Sequence, residues 1–211
     1  DSGNSNYGTA IVGTVSGTSI SFGTAVVFES ASTLDCAVSY DDNAEKTVIA
    51  YRDGGNSNYG TAIVATVSGT SISYGTAAVF ESAYSHEIKS AFDTNAQKVV
   101  ITYSDAGNSN YGTVIAGTVS NTSISFGSAA VFNSAQVSHL GTFYDSTNKK
   151  VIIPYRDHGN SNYGTALVFQ VAYSNVNLTS ENYIGIAEYA AADPETATIL
   201  IKGGVSPDQS S

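Results

Sequence analysis

Residues 55–80 read GNSNYGTAIVATVSGTSISYGTAAVF, and this stretch decides how the rest of the chain is interpreted. Its first seven letters, GNSNYGT, begin four times, always 52 residues apart, at Gly3, Gly55, Gly107 and Gly159. Residues 3–28 and 107–132 follow the same text with few exchanges. A fixed internal period of this size indicates one supersecondary unit repeated along the chain. The repetition favours a modular scaffold over a catalyst.

Each repeat contains four short runs rich in Val, Ile, Thr, Tyr and Phe, and Gly, Asn, Asp and Ser separate these runs. We name them A to D, and in the first unit they are residues 35–40 (A), 47–52 (B), 9–15 (C) and 19–28 (D). Gly23 interrupts run D, as a bulge or a bend would. Several runs are apolar on both faces, which predicts small sheets that are covered on both sides.

These patterns predict an all-β fold, a β-propeller-like array of four-stranded antiparallel meanders that stack face to face. A β-solenoid or a threaded trimeric β-fibre is the alternative. The repeat breaks after Val171, so we expect a repeat domain over residues 1–171 and a small, truncated β-module over residues 172–211. Four recurrent aromatic sets are interpreted as packing between blades. They are Tyr51, Tyr103 and Tyr155; Tyr40, Phe92 and Tyr144; Phe22, Tyr74 and Phe126; and Phe28, Phe80 and Phe132.

Composition excludes several classes of protein. Eight Lys and Arg against eighteen Asp and Glu give a net charge of −10, which does not attract nucleic-acid phosphates. No apolar run approaches the roughly 18 residues of a membrane-spanning helix, so no membrane insertion is expected. Cys36 stands where the next repeats have Ile88 and Leu140, which predicts an apolar slot for it. The chain begins within a repeat and shows no signal peptide, so we expect a piece of a longer polypeptide.

The order of the runs places the B–C loops and the D–A segments on one face. Propellers usually bind ligands on that face, which is an analogy at the level of the fold. The B–C motif GNSNYG suits a demanding turn, because Asn and Gly tolerate positive φ. The alternative is a ring of tyrosines and asparagines that stack on sugars and hydrogen-bond to them. A calcium loop at Asp53, Asn56 and Asn58 lacks the bidentate Glu that such loops use, so neither a metal nor a cofactor is predicted.

The D–A segment changes between repeats, from residues 32–35 (STLD) to 84–87 (YSHE) and 136–139 (QVSH). This variation indicates either a surface without sequence constraints or the place where binding specificity lies. His86 and His139 are not equivalent positions, which disfavours a symmetric metal site. Arg52 and Arg156 are expected to pair with nearby carboxylates. The candidate ligand-binding residues are Tyr7, Asn56, Asn58, Tyr59, Asn108, Asn110, Tyr111, Tyr163, Tyr84, His86, Glu87 and His139.

The text VIAYRDGGNSNYGTAIVATVSGTSISYGTAAVFES, residues 48–82, resembles repeats in fibre and tail-tip proteins of tailed bacteriophages, marine ones especially. The resemblance covers about residues 1–170, and the text from Asn177 onward resembles a small β-module of such fibres. It implies a virion tail component that recognises a host surface glycan or receptor, contacts other tail proteins and forms a homo-oligomer. A secreted, extracellular bacterial lectin or adhesin is the alternative.

A weaker similarity is to sialidase-type β-propellers, whose hairpins carry an Asp-box. The nearest text, residues 105–111 (DAGNSNY), has one extra residue before the aromatic and sits in a different loop. The arginine set and the Tyr/Glu nucleophile pair of sialidases have no counterparts here. A glycosidase or depolymerase needs two poised carboxylates, and the recurrent Asp41, Asp93 and Asp145 are interpreted as turn formers. We therefore predict no enzymatic activity.

Overall fold

The structure is a computed structural model that describes residues 1–171 and four strand residues, 200–201 and 204–205. The chain divides into two compact units, residues 1–172 and 173–211. Apart from those four strand residues, the predicted module of residues 172–211 lies outside the described part. In the described part, no helix has the length and hydrophobicity that crossing a membrane requires.

The described residues form an all-β structure in which every strand pairing is antiparallel. Two short 3-10 helices, Ser2–Asn4 and Ala106–Asn108, lie in the loops. The strands are β1 (Tyr7–Ala10), β2 (Gly13–Ser16), β3 (Ser19–Phe22), β4 (Val26–Asp41), β5 (Lys46–Asp53), β6 (Tyr59–Ser68), β7 (Ser71–Tyr74), β8 (Ala78–Asp93), β9 (Lys98–Asp105), β10 (Tyr111–Ser120), β11 (Ser123–Phe126), β12 (Ala130–Ser138), β13 (Phe143–Asp145), β14 (Lys150–Asp157), β15 (Tyr163–Phe169), β16 (Leu200–Ile201) and β17 (Gly204–Val205).

The long strands β4 and β8 each belong to two successive meanders. Within β8, Tyr84 lies opposite Tyr59 of β6, whereas the next residue, Ser85, lies opposite Asp105 of β9. The separate D–A loop that we expected is therefore wrong for these strands, because D continues directly into A. The junction is a bulge, and its residue has positive φ in every repeat. These residues are Asp35 (φ 50), Glu87 (φ 57) and His139 (φ 55).

The predicted interruption of run D at Gly23 is confirmed. Strand β3 ends at Phe22 and strand β4 begins at Val26. The Gly23 amide donates to the carbonyl of Val12 at 2.9 Å, which holds this break in place. The C–D connection is consequently a short hairpin followed by a new pairing, as with β6, β7 and β8.

The core lies between neighbouring sheets, and the interior sheet of β9 and β10 contributes both of its faces to it. Ile101 and Tyr103 belong to a cluster with Val48 and Val64 of the preceding meander. Their strand neighbour Val100 belongs to another cluster, which includes Ile153 of the following meander. Residues on both sides of one strand are therefore buried, as the two-sided apolar pattern predicted.

Aromatic pairs repeat at each contact between neighbouring meanders. The ring centroids lie 5.2 Å apart in Phe28–Tyr51, 5.2 Å in Phe80–Tyr103 and 5.3 Å in Phe132–Tyr155. Each phenylalanine comes from a D strand and each tyrosine from strand B of the next meander. The interpretation of these two sets as packing between repeats is confirmed.

The apolar surroundings predicted for three residues near the start of the chain are absent. Cys36 is exposed, whereas its equivalents Ile88 and Leu140 are 0% and 5% exposed. Tyr40 and Phe22 are 56% and 61% exposed. Within the described residues, no sheet packs against these three side chains.

Candidate functional site

The B–C turns and the long strands share one end of the sheets. The carbonyl of Asn58 accepts the amide of Ser85 at 3.1 Å, and the carbonyl of Asn110 accepts the amide of Val137 at 3.1 Å. The amide of Gly54 donates to the carbonyl of Ser32 at 2.8 Å. We call this end the turn face. It consists of residues 53–59, 105–111, 157–163, 32–35, 84–87 and 136–139.

The GNSNYG motif forms the same turn in every repeat. Ser57 and Asn58 have φ of 55° and 61°, and the equivalent Ser–Asn pairs have nearly the same values. The amide of Tyr59 donates to the carbonyl of Asn56 at 3.0 Å. Two consecutive positive φ angles under such a bond are the features of a type I′ turn, in which Asn is favoured. The geometry of the turn therefore accounts for the Ser–Asn pair.

Close packing accounts for the two glycines of the motif. A Cβ on Gly55 would lie 2.5 Å from the Cβ of Ala31, and Gly107 and Gly159 meet Ala83 and Ala135 in the same way. A Cβ on Gly60 would collide with the ring of Phe80. The Asp53 carboxylate accepts the Gly55 amide at 2.9 Å, so it caps the turn. Within the described residues, no group of three or more His, Cys, Asp or Glu is placed to hold a metal ion.

The four tyrosines of the motif do not form an evenly exposed ring. Tyr7, Tyr59 and Tyr111 are half-buried, and they lie opposite residues of the long strands. Tyr163 is 62% exposed and lies opposite Asp157. Asn56 and Asn108 are exposed beside them, while Asn58 and Asn110 are half-buried. The motif supplies the framework of the turn face more than its outermost surface.

The long strand β8 brings a set of polar side chains together on this face. Tyr84 is 43% exposed, and its hydroxyl accepts a hydrogen bond from Nη1 of Arg52. The Arg52 guanidinium carbon lies 4.8 Å from the centre of the Tyr84 ring, a cation–π distance. Nε of Arg52 lies 3.3 Å from Oδ2 of Asp35, so the predicted pairing of Arg52 with a carboxylate is confirmed. Among the described residues Arg156 has no such pair, so the same prediction is wrong for Arg156.

His86 extends this set into the next repeat. Its Nε2 lies 2.9 Å from Oδ1 of Asn110, and its ring centre lies 5.8 Å from that of Tyr84. We call Asp35, Arg52, Tyr84, His86 and Asn110 the Tyr84 cluster. Three of its members are predicted ligand-binding residues, and the structure brings them together. Asp35 and Arg52 are missing from that prediction, although position 52 also changes between repeats, to Ser104 and then Arg156.

The equivalent place in the following repeat holds a different set of side chains. Ser138 occupies the position of His86, and its Oγ lies 2.9 Å from Nε2 of His158 and 3.1 Å from Nδ1 of His139. His139 is exposed, whereas Glu87, at the same position of the preceding repeat, is half-buried. The structure therefore places His86 and His139 in separate surroundings. The turn face consequently differs from one repeat to the next, on a framework that does not.

The recurrent aspartates at the opposite end of the sheets cap the A–B turns. Oδ1 of Asp41 accepts the amides of Asn43 and Ala44 at 3.0 and 2.9 Å, and Asp93 makes the same two bonds. Hydrogen bonds from Asn148 and from the Thr147 amide lower the pKa of Asp145. The interpretation of these three aspartates as turn formers is confirmed.

Comparisons with models of protein families, with curated proteins and with solved structures found no match to this chain. Any proposal about function therefore depends on the turn face itself and on the resemblance of residues 48–82 to repeats of phage fibre proteins.

Proposed function

We propose that the repeats form an array of β-propeller-like blades that presents the turn face for recognition and not for chemistry. Two observations support this architecture: the antiparallel meanders, which the strand pairings join into one 13-stranded sheet, and the burial of both faces of β9 and β10. Within this class, we propose a structural and adhesive component of a bacteriophage tail, a fibre or a tail-tip protein, which recognises a glycan on the host surface. The resemblance of residues 48–82 to repeats of such proteins supports the second step.

The Tyr84 cluster is the observation that carries the recognition proposal. An exposed aromatic ring with an amide and an imidazole beside it offers stacking and hydrogen bonding together, which is what a sugar requires. The cluster spans two repeats, which the contact between His86 and Asn110 joins. The hydrogen bond from the Ser85 amide to the Asn58 carbonyl holds the backbone between Tyr84 and His86 in place. Four of the five cluster positions, those of Asp35, Arg52, Tyr84 and His86, change between repeats, as expected where specificity resides, whereas Asn110 belongs to the invariant turn.

The charges of the cluster favour a neutral glycan. The Arg52 guanidinium is already engaged by Asp35 and Tyr84, so it is not free to clamp an anionic group. The chain carries a net charge of −10, which repels polyanionic polysaccharides at long range. We therefore propose a neutral saccharide as the ligand. The location is then the virion surface, with other tail proteins as structural partners.

Binding of the whole chain to an array of bacterial surface polysaccharides tests the proposal. We expect binding to neutral glycans that the variant Tyr84→Ser loses, since Ser32 stands at this position in the first repeat. The matched control is Val79→Ser, an exposed position of the same strand outside the turn face, which should bind normally. Binding that Tyr84→Ser leaves intact would refute the assignment of the site. Release of reducing ends from a bound polysaccharide would instead favour a depolymerase.

Binding to the polysaccharide array does not distinguish a phage protein from a secreted bacterial lectin of this fold. Genes neighbouring the coding sequence do separate them, because tail genes favour the virion and an export signal on the complete gene product favours the bacterium. Detection of the protein in purified particles would support the tail assignment directly.

A further inference from the structure

The contact between His86 and Asn110 joins two side chains that can each make a further hydrogen bond. Nε2 of His86 lies 2.9 Å from Oδ1 of Asn110. An amide oxygen only accepts, so Nε2 carries the proton and donates, which leaves Nδ1 of the neutral imidazole as an acceptor. The amide nitrogen of Asn110 keeps its N–H donors. Among the described residues, neither free group has a hydrogen-bond partner, and neither is a buried unpaired atom.

This result does not depend on which way the Asn110 amide is turned. With the amide oxygen and nitrogen exchanged, the amide would donate to Nε2, and Nδ1 would carry the imidazole proton. The free groups would then be the Nδ1–H donor and the amide-oxygen acceptor. In both arrangements the pair presents one fixed donor and one fixed acceptor on neighbouring side chains.

The ring of Tyr84 adds an apolar surface beside this pair. Its centre lies 5.8 Å from that of the His86 ring, and the side chain is 43% exposed. The Arg52 guanidinium lies over one face of the tyrosine ring, 4.8 Å from its centre, and Asp35 holds the guanidinium there. The Asp35–Arg52 pair therefore fixes the ring and leaves its other face to a ligand.

The combination of an aromatic ring and an imidazole occurs once in this segment among the described repeats. The residues at the positions of Tyr84 and His86 are Ser32 and Leu34 in the first repeat and Gln136 and Ser138 in the third. The equivalents of Asn110, such as Asn6, therefore have no imidazole from this position beside them. The arrangement is a property of one place on the turn face and not of the repeated turn.

We propose that the Tyr84 cluster binds the acetamido group of an N-acetylated amino sugar, an inference that rests on the recognition of a neutral glycan proposed above. An acetamido group has one fixed donor, its N–H, and one fixed acceptor, its carbonyl, which match the two free groups of His86 and Asn110. Its methyl group is apolar and contacts the open face of Tyr84. A sugar hydroxyl has no methyl group to bury, so the site favours it less.

Matched sugars test this proposal on the full chain. Chitotriose and cellotriose have the same linkage and differ in carrying an acetamido group or a hydroxyl, and N-acetylgalactosamine and galactose form a second such pair. We expect the acetamido member of at least one pair to bind at least about tenfold more tightly than its hydroxyl partner. In saturation-transfer NMR, the acetyl methyl protons should receive the largest saturation, because they lie against the Tyr84 ring.

Two variants locate the preference within the cluster. His86→Ala and Asn110→Gly should each bring the binding of the two members of a pair to within about twofold, because each removes one of the hydrogen-bonding groups. Glycine adopts the left-handed φ of 61° found at Asn110, so the turn is kept. The matched control is Asn6→Gly, the same exchange at φ 62° in the first repeat, which should keep the full preference.

The outcomes separate this inference from the proposed function. Equal binding of both members in each pair would overturn the acetamido assignment and leave the recognition of neutral glycans standing. No binding to any neutral glycan on the polysaccharide array would refute the proposed function and this inference with it. A preference that His86→Ala and Asn110→Gly both leave unchanged would place the acetamido group elsewhere and overturn the inference as well.

Discussion

The B–C turns and the long-strand segments lie side by side on the turn face, yet the repeats use them differently. The turns keep the text GNSNYG in all four copies; the turn type explains their left-handed residues, and close contacts explain both glycines of the second and third copies. The neighbouring segments change from STLD to YSHE to QVSH, although each keeps a residue with positive φ at its fourth position.

The difference separates what the backbone requires from what the surface displays. The turn positions are fixed by a type I′ geometry and by close packing that leaves no room for a Cβ on glycines such as Gly55 and Gly60. Each changing segment has four positions, and only the second faces the interior. The residues at this position are Thr33, Ser85 and Val137. The other positions are free to vary, because the bulge needs no particular side chain. Four substitutions sharpen this contrast, beginning with the largest expected effect.

Gly112→Ala should destabilise the chain by about 1–3 kcal/mol, because the new methyl group would force the ring of Phe132 off Tyr155. Gly127→Ala is the matched control, since its Cβ would lie 3.8 Å from the nearest atom, the carbonyl oxygen of Ala116. Urea unfolding of both variants provides the comparison. Equal stabilities would mean that the motif glycine is not held by packing.

Asn58→Ala should cost about 1 kcal/mol, because alanine lacks the tolerance of asparagine for left-handed φ. Asn58→Gly should match or exceed the wild-type stability, since glycine adopts this φ without strain. Thermal unfolding of the pair tests the turn geometry alone. A glycine variant as unstable as the alanine variant would shift the explanation from the backbone to the asparagine side chain.

Tyr103→Phe tests the framework beneath the turn face through its pH dependence. Burial raises the pKa of the Tyr103 hydroxyl far above its usual value, and the Glu81 carboxylate, 3.0 Å away, raises it further. Above about pH 10 the unfolded chain loses this proton while the folded chain keeps it, so the free energy of unfolding falls as pH rises. The variant should lose less stability than wild type in alkali. Parallel pH profiles would contradict this assignment.

Arg52→Ser should have the smallest effect on stability, at most about 1 kcal/mol, because the Asp35 carboxylate that it leaves unpaired is 30% exposed and water can solvate it. Ser104 already occupies this position in the next repeat, so the backbone accepts the change. Denaturant unfolding at low and high salt measures the contribution of the pair. A loss comparable to that of Gly112→Ala would place Arg52 in the framework and not on its variable surface.

Much of this architecture was predictable from the sequence, because a 52-residue period with two-sided apolar runs leaves few all-β arrangements. The aromatic contacts between repeats and the aspartate-capped turns followed from recurrence alone. The continuous D–A strand was not predictable in this way. A polar segment such as residues 32–35 predicts a loop. Only the pairing of β4 with the strands on both of its sides, β1 and β5, shows that the segment is an extended strand with one bulge.

The candidate site was predictable in part. Tyr84, His86 and Asn110 were identified from drift and from the repeated motif, but they come from separate segments whose contacts depend on register. Asp35 and Arg52 were missed as members of the cluster because they join it through a side-chain contact across strands. The exposure of Cys36 was also missed, since recurrence cannot show that a sheet is absent beside one copy.

Exchange of the changing segment tests the central claim most directly. Residues 84–87 would be replaced by the STLD text of residues 32–35, and binding to the glycan identified on the array would be compared with that of Tyr59→Phe. The account predicts that the exchanged chain folds normally and binds at least about tenfold more weakly, or ~1.4 kcal/mol, while Tyr59→Phe binds like wild type. Unchanged binding by the exchanged chain, or loss of binding confined to Tyr59→Phe, would contradict the account and return recognition to the invariant turns.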